Sequence, residues 1–419
     1  MVKVSRRTAA ASAAVLAFGL AGSAFAQSTV KVGIIYPLSG NAASAGNYEK
    51  MAMEVGAEII NNGNAELAKI LPFVSPTGGL PGLKGAKIQL ATADNQGTPA
   101  AGANQTLRLI TQEKVVGVVG AYQSGITETA SAVAEKYGIP FVNPESVAAN
   151  LTERGFKWFF RVTPVAADFA HAYSQFLKEQ KAAGKKVDSI AIIHENTEYG
   201  NSVSKVIADV FKTDGLNVTQ NISYSANSTD VQPQVLQLKE KNPDVAIFIS
   251  YTSDAILYTK TMKEQNWKPQ ILIADDAGFN DPKYVKAMGS EVEGLISRTS
   301  FAAGKPGSVP AICDALYKKK TNGDGLDDTS GRGLQGFFAL IDAINRAGST
   351  EPAKIQAALK ATDLKQNQMV AGYHGVKFDA KGQNTLASSI VVQMKKGQYA
   401  PVWPKANATA DLVLPYKGW

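Results

Sequence analysis

The pattern that most constrains this chain is a pair of consecutive series in which short β-branched runs alternate with segments of helical period. In the first series, residues 30–36 (VKVGIIY), 86–92, 115–120 and 139–142 read as buried strands. Residues 46–62, the segment opened by Thr98-Pro99, and 126–136 read as the helices between them. Ala52, Val55 and Ile59 share one face of the first helix, Pro99 takes the first-turn position that needs no N–H, and Gly138 stops the third. In the second series, 189–194, 217–224, 244–250 and 270–274 are strands, with helices near 199–213, 229–241 and 253–265. A strand that returns through a helix pairs in parallel with the one before it. The sequence therefore predicts an α/β fold with two parallel sheets, each wound by right-handed crossovers and covered on both faces. Residues 61–85, rich in glycine and proline, break the rhythm and read as a long surface loop. Helices at 309–320, 333–347 and 351–361 follow, and then a hairpin of 388–394 with 399–403 closed by Lys396-Gly397.

Residues 1–26 read as an export signal. Lys3, Arg6 and Arg7 make a basic start, 9–20 an apolar run, and Ala24-Phe25-Ala26 a small-x-small cleavage site. The run is shorter than the ~20 residues a membrane span needs. Ser5-Arg6-Arg7 leaves the twin-arginine route open beside general secretion. The chain that begins at Gln27 is still longer than one hydrophobic core supports, so two domains are expected. Losing the signal also removes three cations from a formal net charge of +7. No basic stripe with interleaved aromatics remains, and no nucleic-acid partner is expected. Cys313 is the only cysteine, which forbids an internal disulfide and a lipid-bearing cysteine at the mature N-terminus. These features suit the periplasm.

Signatures of catalysis are missing. His171, His194 and His374 fall in no HExxH pattern, and neither GxSxG nor a P-loop occurs. Residues 331–336 (GRGLQG) match GxGxxG but follow a loop instead of a strand, so they read as a helix start and not a dinucleotide turn. His194-Glu195 closes a strand without a nucleophile or metal partner. The acidic loop 321–331 lacks the closing acid of a calcium hand, because Gly333 stands twelfth from Asn322. No catalytic residue, metal or cofactor is expected.

What remains points to binding. Ligands of parallel sheets sit at the carboxyl ends of strands, where helix starts present free amides. Five such ends carry small, aromatic or acidic polar residues: 120–125 (GAYQSG), 143–146 (NPES), 195–200 (ENTEYG), 250–254 (SYTSD) and Asp275-Asp276. In order, KVGIIYPLSG, GAYQSGITETAS, GIPFVNPES with LTERG, AIIHENTEYGNSV, PDVAIFISYTSDA and ADDAG resemble the branched-chain-amino-acid-type binding proteins of ABC importers over nearly all of the mature chain.

The resemblance implies a type I periplasmic binding fold, in which two lobes joined by three hinge strands close over a small solute. Residues 27–163 with 299–376 would form one lobe and 164–298 with 377–419 the other. Ser124, with Gln123 beside it, matches the family's donor to a ligand carboxylate, and Ser146 and Val147 its second anion-binding turn. Tyr199 and Tyr251 match aromatics of the second lobe, and Asp275, with Asp276 beside it, the acid that holds an α-ammonium. At least one of the two is expected to point into the cleft with its charge unsatisfied by protein. The partners implied are a small ligand, an amino acid or similar, and ABC permease subunits, with the chain acting as a monomer. A different solute (aromatic acid, amide, polyol or nucleoside) and a ligand sensor are the alternatives. Two positions depart from the family. Glu145 stands where the anion-binding turn is normally small, and is either turned to solvent or a lysine or a determinant of specificity. Ala45 replaces a tryptophan of leucine-binding relatives, which implies a pocket that is larger or open toward a longer ligand.

Overall fold

A computed structural model describes residues 28–419. The export-signal reading of residues 1–26 falls outside the described residues. The run TVKVGIIY forms β1 (Thr29–Tyr36), and from Val32 onward it is buried as a strand covered on both faces. It is joined in parallel by β2 (Lys87–Asp94), β3 (Val118–Gly120), β4 (Phe141–Asn143) and β5 (Phe159–Arg161), in the order β2-β1-β3-β4-β5. Helices α1 (Ala43–Asn62), α2 (Pro99–Thr111) and α3 (Ser124–Tyr137) make the crossovers. Thr98 Oγ1 accepts from the Ala101 amide at 3.3 Å, and Gly138 ends α3 at φ 65°, as the sequence anticipates.

The second series is led by α4 (Ala166–Ala182) and runs through β6 (Ile190–Glu195), α5 (Glu198–Thr213), β7 (Val218–Tyr224), α6 (Gln232–Lys241), β8 (Val245–Ile249), α7 (Thr252–Glu264) and β9 (Ile271–Ala274). Two short helices, α8 (Ala277–Asn280) and α9 (Pro282–Met288), lead to β10 (Ile296–Thr299). The chain then goes back to the first sheet, where α10 (Val309–Lys320) and α11 (Asp328–Ala347) pack on α1 and α12 (Pro352–Lys360) packs on α11. A small pair, β11 (Asp363–Lys365) and β12 (Gly375–Lys377), precedes the hairpin of β13 (Ile390–Lys395) and β14 (Gln398–Trp403).

Here the structure departs from the expectation of two parallel sheets. The hairpin joins the second sheet through an antiparallel β10–β13 pairing, giving a mixed sheet of order β14-β13-β10-β9-β8-β6-β7. Edge strand β14 carries Pro401, whose carbonyl accepts from the amides of Thr409 and Ala410 in the tail. The tail then runs back along the sheet, with Val413 held by the Gln393 side chain and the Tyr416 amide donating to Gln270 O.

Residues 61–85 are not the bare surface loop that their composition suggests. Turns at Leu67–Lys69 and Pro81–Leu83 bury Leu67, Leu71, Phe73 and Leu80. Phe73 meets Phe338 of α11 at 5.3 Å between ring centres. Helix α11 also begins earlier than its periodicity indicates, because Asp327 caps it, accepting from the Ser330 amide at 2.7 Å. The glycines of GRGLQG lie inside this helix. A Cβ at Gly331 would stand 2.5 Å from the Phe301 ring, and one at Gly336 2.6 Å from Pro144, so the motif serves close packing.

Phe337, fully buried on α11, fits against the bare face left by Gly56 of α1. Phe337→Ala should lower unfolding free energy by about 3–5 kcal/mol. Urea denaturation followed by tyrosine and tryptophan fluorescence measures it, and a loss below about 1 kcal/mol would show that α1–α11 packing is not a main source of stability.

Candidate functional site

The carboxyl ends of the two sheets face each other, and the backbone there is strained on both sides. Tyr122, after β3, has φ 71°, and Asp276 and Ala277, after β9, have φ 46° and 37°. Non-glycine residues held in this region cost of order 1–3 kcal/mol each and persist where the surroundings fix them. From the first sheet, Tyr122, Ser124, Glu145, Ser146 and Val147 line a cleft. Tyr199, Tyr251, Asp276, Ala277 and Arg298 line it from the second sheet, and Arg332 reaches in from α11. Its interior is about 20 Å³, room for about one water, so a solute enters only if the two halves part. Larger hollows exist, one of about 400 Å³ between α1 and α10, but its lining contains no buried polar atom left without a partner.

Seven of the nine residues singled out from the sequence line the cleft: Ser124, Glu145, Ser146, Val147, Tyr199, Tyr251 and Asp276. Gln123 caps α3 just behind it, with its Oε1 buried and unpartnered. Ser124 is the first residue of α3, where the helix dipole favours an anion, and its Oγ accepts from the Ala148 amide at 3.4 Å. Ser146 is more committed. Its hydroxyl donates to Tyr122 O at 2.8 Å and stands 2.6 Å from Thr127 Oγ1. The rings of Tyr122, Tyr251 and Tyr199 form a row across the cleft, with centres 5.8 Å and 5.3 Å apart.

Asp275 differs most from expectation. It is fully buried and lies off the cleft, and neither it nor Asp276 carries an unsatisfied charge. Asp275 Oδ1 accepts from Arg298 Nε and the Tyr173 hydroxyl, both at 2.9 Å, and the Tyr199 hydroxyl reaches Asp275 O at 2.8 Å and Oδ2 at 3.0 Å. Asp276 Oδ2 lies 3.1 Å from Arg298 Nη2 and 2.7 Å from Arg332 Nη2. Arg332 Nε pairs in turn with Asp328 Oδ2 at 2.8 Å, and its Nη1 donates to Thr163 Oγ1 at 3.0 Å. Burial alone would raise the Asp328 carboxyl, yet the guanidiniums of Arg332 and Arg298 outweigh it and hold that acid below its usual range. Burial first, then the neighbouring carboxylates, keeps the hydroxyls of Tyr173 and Tyr199 protonated as donors.

Glu145 is 4 % exposed and touches no lysine among the described residues, which removes the reading of a solvated side chain. Ala45 is buried in α1 outside the cleft lining, and this arrangement does not show the larger pocket its small side chain implied. Glu195 satisfies the start of α5, accepting from Thr197 Oγ1 at 2.8 Å and the Gly200 amide at 2.7 Å, which accounts for the His194-Glu195 pair without acid–base chemistry.

Sequence reasoning missed Arg298, Arg332 and the buried Glu49, and it placed Tyr122 at a candidate strand end without singling it out. Arg298 sits on a strand that the pattern did not reveal. Glu49 and Arg332 had a readable signal: each is a charge on the apolar face of its helix, Glu49 at the spacing of Ala45, Ala52 and Met53. Polar atoms left buried and unpartnered at the cleft are Glu145 Oε2, Arg298 Nη1 and the Tyr122 hydroxyl.

Residues 29–398 match the family described as periplasmic binding protein. The chain is 31 % identical over 416 residues to Leu/Ile/Val-binding protein homolog 7 of Brucella suis biovar 1, covering 94 % of this chain and 96 % of that protein. Its fold is that of the branched-chain amino acid transporter substrate-binding protein LivJ from Streptococcus pneumoniae in complex with isoleucine, with a TM-score of 0.74, 22 % identity, and 92 % and 100 % of the two chains covered. It is also that of a solute-binding protein of an ABC transporter from Rhodopseudomonas palustris BisB5 in complex with 3,4-dihydroxybenzoic acid, with a TM-score of 0.74, 17 % identity, and 92 % and 98 % covered.

Removing one partner of a buried ion pair strands the others. Arg332→Met should therefore cost about 3–5 kcal/mol, whereas Lys205→Met, which breaks an exposed pair with Asp209, should cost under about 1 kcal/mol. Urea denaturation of the two variants side by side checks this, and equal losses would mean that the buried network contributes no more than a surface pair.

Proposed function

The chain belongs to the periplasmic binding protein family, and we propose on that footing that it is the solute-binding component of an ABC uptake system. Its solute on this reading is an amino acid or an amino-acid-like polar metabolite. The observation that carries this is the cleft itself. Side chains from both sheets meet there, several of their polar atoms are buried without partners, and such atoms are costly unless something supplies their hydrogen bonds. The start of α3 and the Ser124 hydroxyl would take an acceptor end of the solute, with Gln123, Ser146 and Val147 shaping that wall. Tyr199 and Tyr251 would close over it from the other side.

The chain passes between the sheets three times, after β5, after β10 and after β12. This supports two lobes, 27–163 with 299–376 and 164–298 with 377–419, that close about those connections by hinge bending. No helix of the described residues is long and apolar enough to cross a membrane. We place the mature protein in the periplasm, exported by residues 1–26 and delivering its solute as a monomer to permease subunits, with no catalysis and no cofactor. An aromatic acid is the second reading, favoured by the row of three tyrosine rings across the cleft.

A solute held by both lobes stabilises the closed form. At about 100 times its dissociation constant it should add ~2.7 kcal/mol, read as a raised melting temperature. A panel of amino acids, amides and small aromatic acids tests this, and a panel without a single shift refutes the reading. Tyr251, whose ring lies between the other two, should be a hot spot. Tyr251→Ala should cost ~2 kcal/mol or more of binding by calorimetry while the circular dichroism spectrum stays unchanged. Undiminished affinity would remove the clamp role.

A further inference from the structure

Glu49 and Glu145 are buried carboxyl groups that the arginine–aspartate network does not absorb. Glu49 is fully covered on α1, and Glu145 follows β4. Tyr36 donates to Glu145 Oε1 at 3.5 Å, while Arg332 reaches only the Glu145 carbonyl, at 3.3 Å. Gly333 makes the room, since a Cβ there would stand 3.0 Å from Glu145 Oε1. Glu145 Oε2 and both Glu49 oxygens lack a donor. The two side chains face each other, a contact that becomes a hydrogen bond only when one of them holds a proton. Burial and the charge of Glu145 push Glu49 well above the usual carboxylate range. Burial pushes Glu145 up to about 8, against the pull of Glu49, Arg332 and Tyr36.

Two acids alone would not make a site. Arg298 Nη1, on a residue 1 % exposed, and the Tyr122 hydroxyl, on one 6 % exposed, are also buried, unpartnered and on the cleft. Around it, the carboxyls of Glu49, Glu145, Asp275, Asp276 and Asp328 outnumber the guanidiniums of Arg298 and Arg332. Surplus buried negative charge is relieved by protons or by a cation. A cleft that admits a solute can receive that cation with it.

We propose that Glu145, backed by Glu49, receives the positively charged nitrogen of an ammonium-bearing, zwitterionic solute whose carboxylate turns toward Arg298 Nη1 and the start of α3. Asp275, itself off the cleft, is then scaffold that anchors Arg298 and Tyr199 from behind and bonds Tyr173 as well. The inference rests on the solute-binding reading above and names the class of solute within it. When the ammonium docks, the proton shared by the glutamates leaves, because a cation alongside favours the ionised form. Binding releases a proton, and affinity rises with pH. Tyr36 from β1, Tyr122 after β3, and Asp327, Asp328 and Arg332 from the start of α11 face the pair, and Asp276 from the second sheet shares the cleft lining. Burial pushes Asp327 up to about 7. Burial pushes Asp276 itself up to about 7 against its arginines, so the pH slope is read against a Glu145 variant.

Calorimetry on the full mature chain, with the natural amino acids one by one, tests this. Each that binds is compared with its N-acetyl derivative and with the carboxylic acid lacking the amine. The two analogues should bind about a hundredfold more weakly or worse. Affinity of the amino acid should rise about tenfold per unit between about pH 6 and 7.5. Glu145→Gln should weaken binding at least about tenfold and flatten that slope. Glu49→Gln, which can still donate to Glu145, should keep both binding and slope, because burial is what holds the proton on Glu145. If an analogue without the ammonium binds equally well, or Glu145→Gln keeps both affinity and slope, the inference falls and the solute-binding reading stands. An aromatic acid or polyol that binds where no amino acid does has the same consequence. If no amino acid, aromatic acid or polyol binds, both fall.

Discussion

The structure depends on a buried ionic chain, Asp275–Arg298–Asp276–Arg332–Asp328, that crosses from the second sheet to α11 on the first. Each member is at most about 3 % exposed by its side chain, so none is hydrated and each relies on its neighbours for charge. Arg298 is also stacked on Phe169 at 3.9 Å, which holds its plane between the two aspartates. Such a chain contributes little net stability compared with an apolar core, because desolvation opposes the attraction. What it provides is registry: α11 sits over the strand ends where Arg332 can meet Asp276 and Asp328 at once. On the proposed two-lobe reading, the Arg332–Asp276 link is the member of this chain that opening would break, and opening would also let water reach both ions. Loss of the contact and gain of hydration oppose each other, which is the balance a two-state element requires.

The alternation of apolar runs and amphipathic segments was enough to read most of this fold. β6 and β8 are buried on both faces and, with the Val32–Tyr36 part of β1, announce themselves by clusters of branched aliphatic residues. The parts that escaped are those in which tertiary contacts substitute for a local signal. Strand β5 has three residues, β10 has four with Arg298 among them, and the hairpin's place beside β10 is set by long-range pairing. The flap at 61–85 looks polar by its glycines and prolines but is anchored by a few buried leucines and Phe73.

The site was legible in position and not in electrical role. Looking at strand ends located most of the cleft lining, since parallel sheets leave their helix starts and loops at that edge. Residue type could not tell which carboxyl is free. Asp275 and Glu145 are both acids at strand ends. Asp275 is saturated by an arginine and two tyrosines that come from distant segments, while Glu145 keeps an oxygen without a donor. Availability is a property of the packed neighbourhood, and only the assembled chain reveals it.

The tail that runs back along the second sheet has a further consequence. An open edge strand invites another chain to pair with it. Strand β14 is the exposed margin of the mixed sheet, yet Pro401 removes one donor from it, a register shift at Val391/Val392 disturbs its pairing, and residues 409–410 occupy the Pro401 carbonyl. The C-terminal residues thus act as a guard against self-association. Trimming them, or stiffening them with a fused partner, would free the Pro401 carbonyl and uncover a template for aggregation.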